Sequence, residues 1–178
     1  MDEKTIIVGC IKGIPKYQRA LVHKYSGLLM TVARRYAYDQ TYAKDILQEA
    51  FVKIFRSLGN YEEKGVFEAW MRKIVIHTAL KYFDKSCFKK EFPGLDNYEL
   101  SQEVPKAYLK FNEEDIMAYI AKLPEGYRQV FNLYVIEGYS HQEIGQMLHI
   151  GESTSRSQLT RARKILQHQI TIAQKQIA

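Results

Sequence analysis

The sequence predicts an all-α protein of two small helical domains joined by a flexible linker. Three observations predict it. Apolar residues recur at helical spacing through most of the chain, strand-like alternation is absent, and the four prolines sit at segment boundaries. One stretch of roughly 25 residues, 86–111, has no steady period and contains Pro93-Gly94, Asp96-Asn97 and Pro105. Uncovered loops of that length are uncommon inside one compact domain, so this stretch reads as a linker between residues 1–85 and 112–178.

The elements follow in order. Residues 3–11 form a short apolar-rich helix that stops at Gly13, and Pro15 takes the first helical position of the next, where its missing N–H costs nothing. That second helix runs to about residue 37, with Leu21, Tyr25, Leu28, Leu29, Val32 and Ala33 as its stripe. Asp39 caps a third helix over 40–58, which turns Ala43, Ile46, Leu47, Ala50, Phe51 and Ile54 inward and ends at Gly59-Asn60. A fourth helix is expected over 66–85. Its apolar residues Met71, Ile74, Val75, Ile76, Ala79 and Leu80 spread round most of its circumference, which makes it a central, buried helix.

Past the linker, Asn112 caps a helix whose first turn, Glu113-Glu114-Asp115, puts acids where the helix dipole favours them. Pro124 opens a helix over 124–137 that Gly138 closes. Ser140-His141-Gln142-Glu143 has the form of a capping box, in which Ser and Glu satisfy each other's orphan backbone donors. The helix it opens carries Ile144, Met147 and Leu148 inward and stops near His149-Ile150-Gly151 after barely two turns. Another helix follows at once, with Ser155, Leu159, Ala162 and Leu166 on one stripe. Ser157, Thr160, Arg161, Lys164 and His168 point away from it, and Arg156 lies on the flank. A short capped helix, a tight turn and a longer basic helix form the helix-turn-helix pattern. Periodicity alone fits an ordinary solvated helix of a small bundle equally well. The capping box, the short first helix and the absence of acid after Glu152 favour the DNA-reading version.

Charge supports that choice by its distribution. The 178 residues carry a formal net charge of +6 and a pI of about 9.2, which favours a polyanionic partner. Residues 112–152 hold two basic and seven acidic side chains, whereas 153–178 hold five basic ones and no acid. Cys10 and Cys87 stand in no metal or redox spacing and suggest a reducing compartment. No stretch approaches the ~18 apolar residues of a membrane span, and the start Met1-Asp2-Glu3-Lys4 lacks a signal-peptide pattern, so a cytoplasmic protein is expected. Catalysis is not expected. The five His have no ligand-like pairing with Cys or carboxylate, and no P-loop or Rossmann glycine pattern occurs, so neither cofactor nor small-molecule substrate is implied. His141-Gln142-Glu143 matches half of a zinc deaminase signature, but the required Pro-Cys-x-x-Cys is missing.

Three runs carry a family resemblance: Leu123-Pro124-Glu125-Gly126-Tyr127-Arg128-Gln129-Val130-Phe131, Gly138-Tyr139-Ser140-His141-Gln142-Glu143-Ile144, and the run from Glu152 to Arg163. Together they resemble region four of the extracytoplasmic-function (ECF) sigma factors, in particular the form common in Bacteroidetes. Asp45-Ile46-Leu47-Gln48-Glu49-Ala50-Phe51, followed by Phe67 and Trp70, resembles region two of the same family. The two motifs occur in the right order and cover most of the chain. Four positions depart from the family pattern. His149 stands at a turn position usually held by Gly, where positive φ is needed, and His tolerates that region better than most residues. Gly151 replaces a frequent Ser cap, His77 a common Asn and Lys81 a common Asp. The last two put base preference at the −10 element in question.

The resemblance implies a transcription initiation factor, with promoter DNA and core RNA polymerase (its β′ clamp helices and β flap) as partners. An anti-sigma factor, often membrane-anchored in this family, is a further implied partner. Helix 40–58 would dock on the clamp helices through Asp45, Gln48, Glu49 and Val52. The residues themselves also allow a plain solvated face, with Lys53 pairing Glu49. At the −10 element Asn60, Tyr61, Phe67 and Trp70 would meet bases and Arg72 and Lys73 phosphates, although packing is the commoner task of aromatics at helical spacing. At the −35 element Arg156 and Arg161 would meet base edges or adjacent phosphates, with Ser153, Thr154, Ser157, Thr160 and Lys164 anchoring. A stand-alone helix-turn-helix regulator is the alternative. It would bind duplex DNA without polymerase and leave residues 1–85 without an evident task.

Overall fold

The computed structural model describes residues 2–62, 65–81 and 111–177, and every regular element among them is helical. The chain divides into two units, Met1–Phe83 and Asp84–Ala178. The expected linker 86–111, apart from Phe111, and the expected end of the fourth helix beyond Lys81 lie outside the described residues.

The first unit holds α1 (Glu3–Ile11), α2 (Pro15–Tyr36), α3 (Gln40–Ser57) and α4 (Phe67–Lys81). Local chemistry sets each start. The Asp2 carboxylate accepts from the Thr5 N–H at 2.9 Å, Pro15 opens α2, and Asp39 accepts from the Tyr42 N–H at 2.7 Å. Gly13 supplies the φ of 71° that the α1–α2 turn requires. A single 3₁₀ turn, Leu58–Asn60, extends α3 and buries Leu58.

All six inward residues expected on α3 are buried, as are Leu21, Tyr25, Leu29, Val32 and Ala33 on α2. Leu28 is not: it is 37% exposed, because it lies at the edge of a stripe centred on Tyr25 and Tyr36. α4 packs on both α2 and α3, which explains apolar residues round most of its circumference. Phe67, Met71, Val75 and Ile76 are buried there, whereas Ile74 is half-buried. Fully burying such a side chain contributes about 1.5–3 kcal/mol, so each of these buried residues is a substantial part of the unit's stability.

The second unit holds α5 (Glu113–Ala121), α6 (Glu125–Phe131), α7 (His141–Leu148) and α8 (Glu152–Ile177). Asn112 and Asp115 form a capping box on α5. The Arg128 Nη1 donates to the Ala121 carbonyl at 3.1 Å and so satisfies an orphan acceptor at the end of α5. The expected helix 124–137 is two pieces: after Phe131 the chain widens into a π turn, Asn132–Ile136, closed by the Glu137 N–H donating to the Asn132 carbonyl at 3.0 Å. Gly138, at φ 78°, then ends it. Ile120, Leu123, Tyr127, Ala162 and Leu166 make a core in which α8 packs against both α5 and α6.

Candidate nucleic-acid interface

The helix-turn-helix is built from α7 and α8. Ser140 and Glu143 complete their capping box: the Ser140 N–H donates to the Glu143 carboxylate at 2.8 Å, and the Ser140 hydroxyl accepts from the Glu143 N–H at 3.2 Å. Ile144 and Leu148 are buried beneath α7, and Met147 is half-buried. The turn then needs two unusual positions. His149 adopts φ 53° and ψ 46°, the left-handed conformation its place in the sequence calls for, and its N–H donates to the Gly145 carbonyl. The chain folds back so closely that a Cβ on Gly145 would stand 2.9 Å from the Ile150 carbonyl oxygen.

The left-handed geometry costs an L-residue about 1–2 kcal/mol, while glycine adds about 0.5–1 kcal/mol of chain entropy to be lost on folding. His149→Gly should therefore raise stability by roughly 0.5–1 kcal/mol. A urea midpoint that moves down instead would mean that the imidazole holds the turn by a contact of its own.

α8 buries Ser155, Gln158, Leu159, Ala162 and Leu166 and turns its other side outward. Ser153, Arg156, Ser157, Thr160, Arg163 and His168 are exposed, while Thr154, Arg161 and Lys164 are half-buried. The expected residues thus lie exposed or half-buried along this side, and exposed Arg163, which the sequence reading did not single out, stands among them. Gln158 also departs from the simple stripe, since it is buried at 2% exposure. Arg156 pairs with Glu152 one turn earlier. The Ser157 hydroxyl donates to the Thr154 carbonyl at 2.9 Å and the Thr160 hydroxyl to the Arg156 carbonyl at 3.1 Å. Those hydroxyls can accept as they stand, but donating to a phosphate requires them to rotate away from the helix.

In the first unit the aromatic candidates form one cluster. Phe67 is the foundation, 1% exposed, with its ring centroid 5.0 Å from Tyr61, 5.6 Å from Trp70 and 5.8 Å from Tyr25. Tyr61 and Trp70 are half-buried above it, 5.2 Å apart. The Tyr61 hydroxyl donates to the Gly65 carbonyl at 3.1 Å, and exposed Asn60 closes the 3₁₀ turn just before Tyr61. Phe67, at 1% exposure, offers no face to a base, whereas Tyr61 and Trp70 remain partly exposed. On the same helix Lys73 is exposed, and Arg72 lies 3.8 Å from Glu68.

α3 presents Asp45, Gln48 and Val52 to the surface, with Val52 43% exposed. Glu49 shares that face but is half-buried, 2.9 Å from Lys53 and 3.7 Å from Lys81 on α4. Lys53 in turn donates to the buried Thr78 hydroxyl at 3.1 Å. Lys81, one of the family departures, thus joins α4 to α3. No described helix is long and apolar enough to cross a membrane.

The Sigma-70 region 2 family model matches residues 21–86, and the Sigma-70, region 4 model matches residues 113–166. The RNA polymerase sigma-H factor of Pseudomonas aeruginosa is 29% identical over 158 residues, covering 82% of this chain and 82% of that protein. The ECF RNA polymerase sigma-E factor of Escherichia coli K12 is 24% identical over 190 residues, covering 96% and 95%. Among solved structures, CnrH in complex with the cytosolic domain of CnrY aligns at a TM-score of 0.50 and 18% identity over 96% of this chain and 97% of that one. The sigma factor RpoE, in complex with the anti-sigma factor NepR from Bartonella quintana, aligns at 0.52 and 16% over 86% and 96%. At such identities the structural likeness speaks for the fold.

Proposed function

This chain belongs to the sigma-70 family as an ECF-type RNA polymerase sigma factor that directs promoter-specific transcription initiation, and from that premise we propose how its residues divide the task. α8 reads the −35 element in the major groove. The supporting observation is its outward arc, in which Arg156, Arg163 and half-buried Arg161 and Lys164 follow a capped short helix and no acid follows Glu152. The helix N-terminus, with Ser153 and Thr154, faces a phosphate. Tyr61 and Trp70 stack on bases of the melting −10 element, Asn60 contacts one beside them, and Phe67 braces the two rings from below. Arg72 and Lys73 meet phosphates.

Residues 1–85 dock on core polymerase through Asp45, Gln48, Glu49 and Val52 on α3, facing the β′ clamp helices, while 112–178 engage the β flap. Neither unit alone has to bind tightly, since the polymerase holds both and raises their effective concentration on the promoter. The catalytic metal ions and the polymerisation chemistry belong to the core enzyme. The protein acts in the cytoplasm and is restrained by a membrane-anchored anti-sigma factor, and its region-four residues favour the form common in Bacteroidetes.

Run-off transcription with purified core polymerase tests the reading. Adding this protein should produce discrete transcripts from a subset of templates on which core alone is silent. Duplex binding that is equally tight without polymerase, with no transcript, would point to a stand-alone regulator instead.

A further inference from the structure

One contact inside the helix-turn-helix joins three segments at a single side chain. His141 is the first residue of α7, yet it is only 7% exposed. Its Nδ1 lies 2.9 Å from the Oγ of Ser155, which is fully buried in the first turn of α8. The imidazole stacks on Tyr134 with ring centroids 4.4 Å apart and planes 20° from parallel. Tyr134 belongs to the π turn Asn132–Ile136, whose extra residue per turn changes the direction of the side chains that follow Phe131. The Arg163 guanidinium, from α8, lies 6.0 Å from the centre of the same tyrosine ring. Burial, and after it the Arg156 cation, holds the imidazole below its usual pKa, so the ring is neutral and one of its nitrogens can accept.

The geometry leaves little freedom. The stacked ring fixes the plane of the imidazole, and the imidazole fixes where the Ser155 hydroxyl has to be. Turning α8 about its axis, or sliding it along α7, separates the pair and strands a hydroxyl and a ring nitrogen away from water. Apolar contacts between α7 and α8 tolerate small rotations; this bond does not.

We propose that the His141–Ser155 hydrogen bond, seated on Tyr134, sets the angle and rotation at which α8 meets the major groove. His141 is then a positioning residue for −35 recognition, and Tyr134 is its support. The inference rests on the reading of α8 as the DNA-reading helix.

The test uses the full chain with purified core polymerase, on a promoter selected by wild-type holoenzyme from a random-sequence library. The same promoter with its −35 element scrambled is the control. The readout is the transcription ratio of intact to scrambled template, taken beside core affinity and the melting temperature. His141→Phe keeps the stack and loses the bond, and Ser155→Ala removes the bond from the other side. Each should lower the ratio at least tenfold with core affinity unchanged. His141→Asn, which retains a polar atom near the Nδ1 position but loses the ring stacked on Tyr134, should recover only part of the ratio and lie between wild type and His141→Phe.

The double variant His141→Phe with Ser155→Ala discriminates further. It leaves no stranded polar group, so its melting temperature should recover while the ratio stays low. A wild-type ratio in either single bond-breaking variant, or recovery of ratio and melting temperature together in the double, overturns the positioning role. A wild-type protein indifferent to scrambling removes the −35 assignment of α8 itself, and this inference with it.

Discussion

Asp45→Lys should weaken binding to core polymerase by about tenfold or more, roughly 1.4 kcal/mol, and leave the fold intact. Asp45 and Glu49 stand one turn apart on α3, and by sequence they form a like-charge pair that a basic partner would relieve. The structure makes the two unequal. Glu49 is half-buried between Lys53 and Lys81, so much of its charge is already answered within the unit. Asp45 is exposed, next to exposed Gln48 and Val52. Reversing Asp45 therefore places a cation on the proposed docking face without disturbing the Glu49–Lys53 and Glu49–Lys81 pairs. Like charges brought together across an interface cost several kcal/mol, well above the few tenths that a solvated surface charge contributes to folding.

Glu49→Lys is a poorer probe, because it gathers a third ammonium group beside Lys53 and Lys81 and strains the α3–α4 contact. Competition against labelled wild-type protein for core polymerase, with a thermal melt as control, measures the effect. Unchanged core affinity in Asp45→Lys would remove α3 from the docking surface.

What the sequence made legible was local. Asp39 as a cap, the Ser140–Glu143 box and the left-handed His149 each follow from residues within four positions of one another, so one strand of text contains the whole cause. The inward residues of α3 were equally readable, since a helix with one buried face repeats its pattern over five turns. The π turn was not readable. Asn132–Ile136 continues the apolar spacing of α6 without interruption, and only the hydrogen bond from Glu137 back to Asn132 distinguishes it from an ordinary helix.

The site was legible in outline and not in its supports. Ser157, Thr160 and His168 face outward as the wheel requires, and Arg156 on its flank is exposed as well, but His141 meets Ser155 across 14 positions through tertiary packing that no spacing rule encodes. Phe67 shows the same limit. An aromatic at helical spacing suits a core and a stacking platform alike, and its 1% exposure, set by Tyr25 on another helix, decides that it supports Tyr61 and Trp70.

Arg156→Ala combined with Arg161→Ala should reduce transcription from the cognate promoter by about 30-fold or more, and core affinity should not change. A well-placed arginine on a base edge or phosphate contributes about 1–3 kcal/mol, so two together supply at least about 2 kcal/mol. The two side chains differ in what they leave behind. Arg156 is 63% exposed and its partner in the free protein is Glu152, so in the proposed contact with DNA it would exchange a carboxylate for a more acceptor-rich target. Its loss removes the cation that pairs Glu152, and under the proposed docking that carboxylate would repel the phosphates and enlarge the effect. Arg161 is half-buried, and its removal also trims packing along α8.

A stability control is therefore part of the measurement: Arg161→Lys keeps the charge and most of the stem, and it should retain folding while losing any bidentate contact. Salt dependence separates the roles, since a residue that meets only phosphate reduces the slope of log affinity against log salt without changing base preference. If both arginines can be removed with promoter output and −35 preference intact, the DNA-facing arc lies elsewhere on α8, and Arg163 is the first residue to examine in their place.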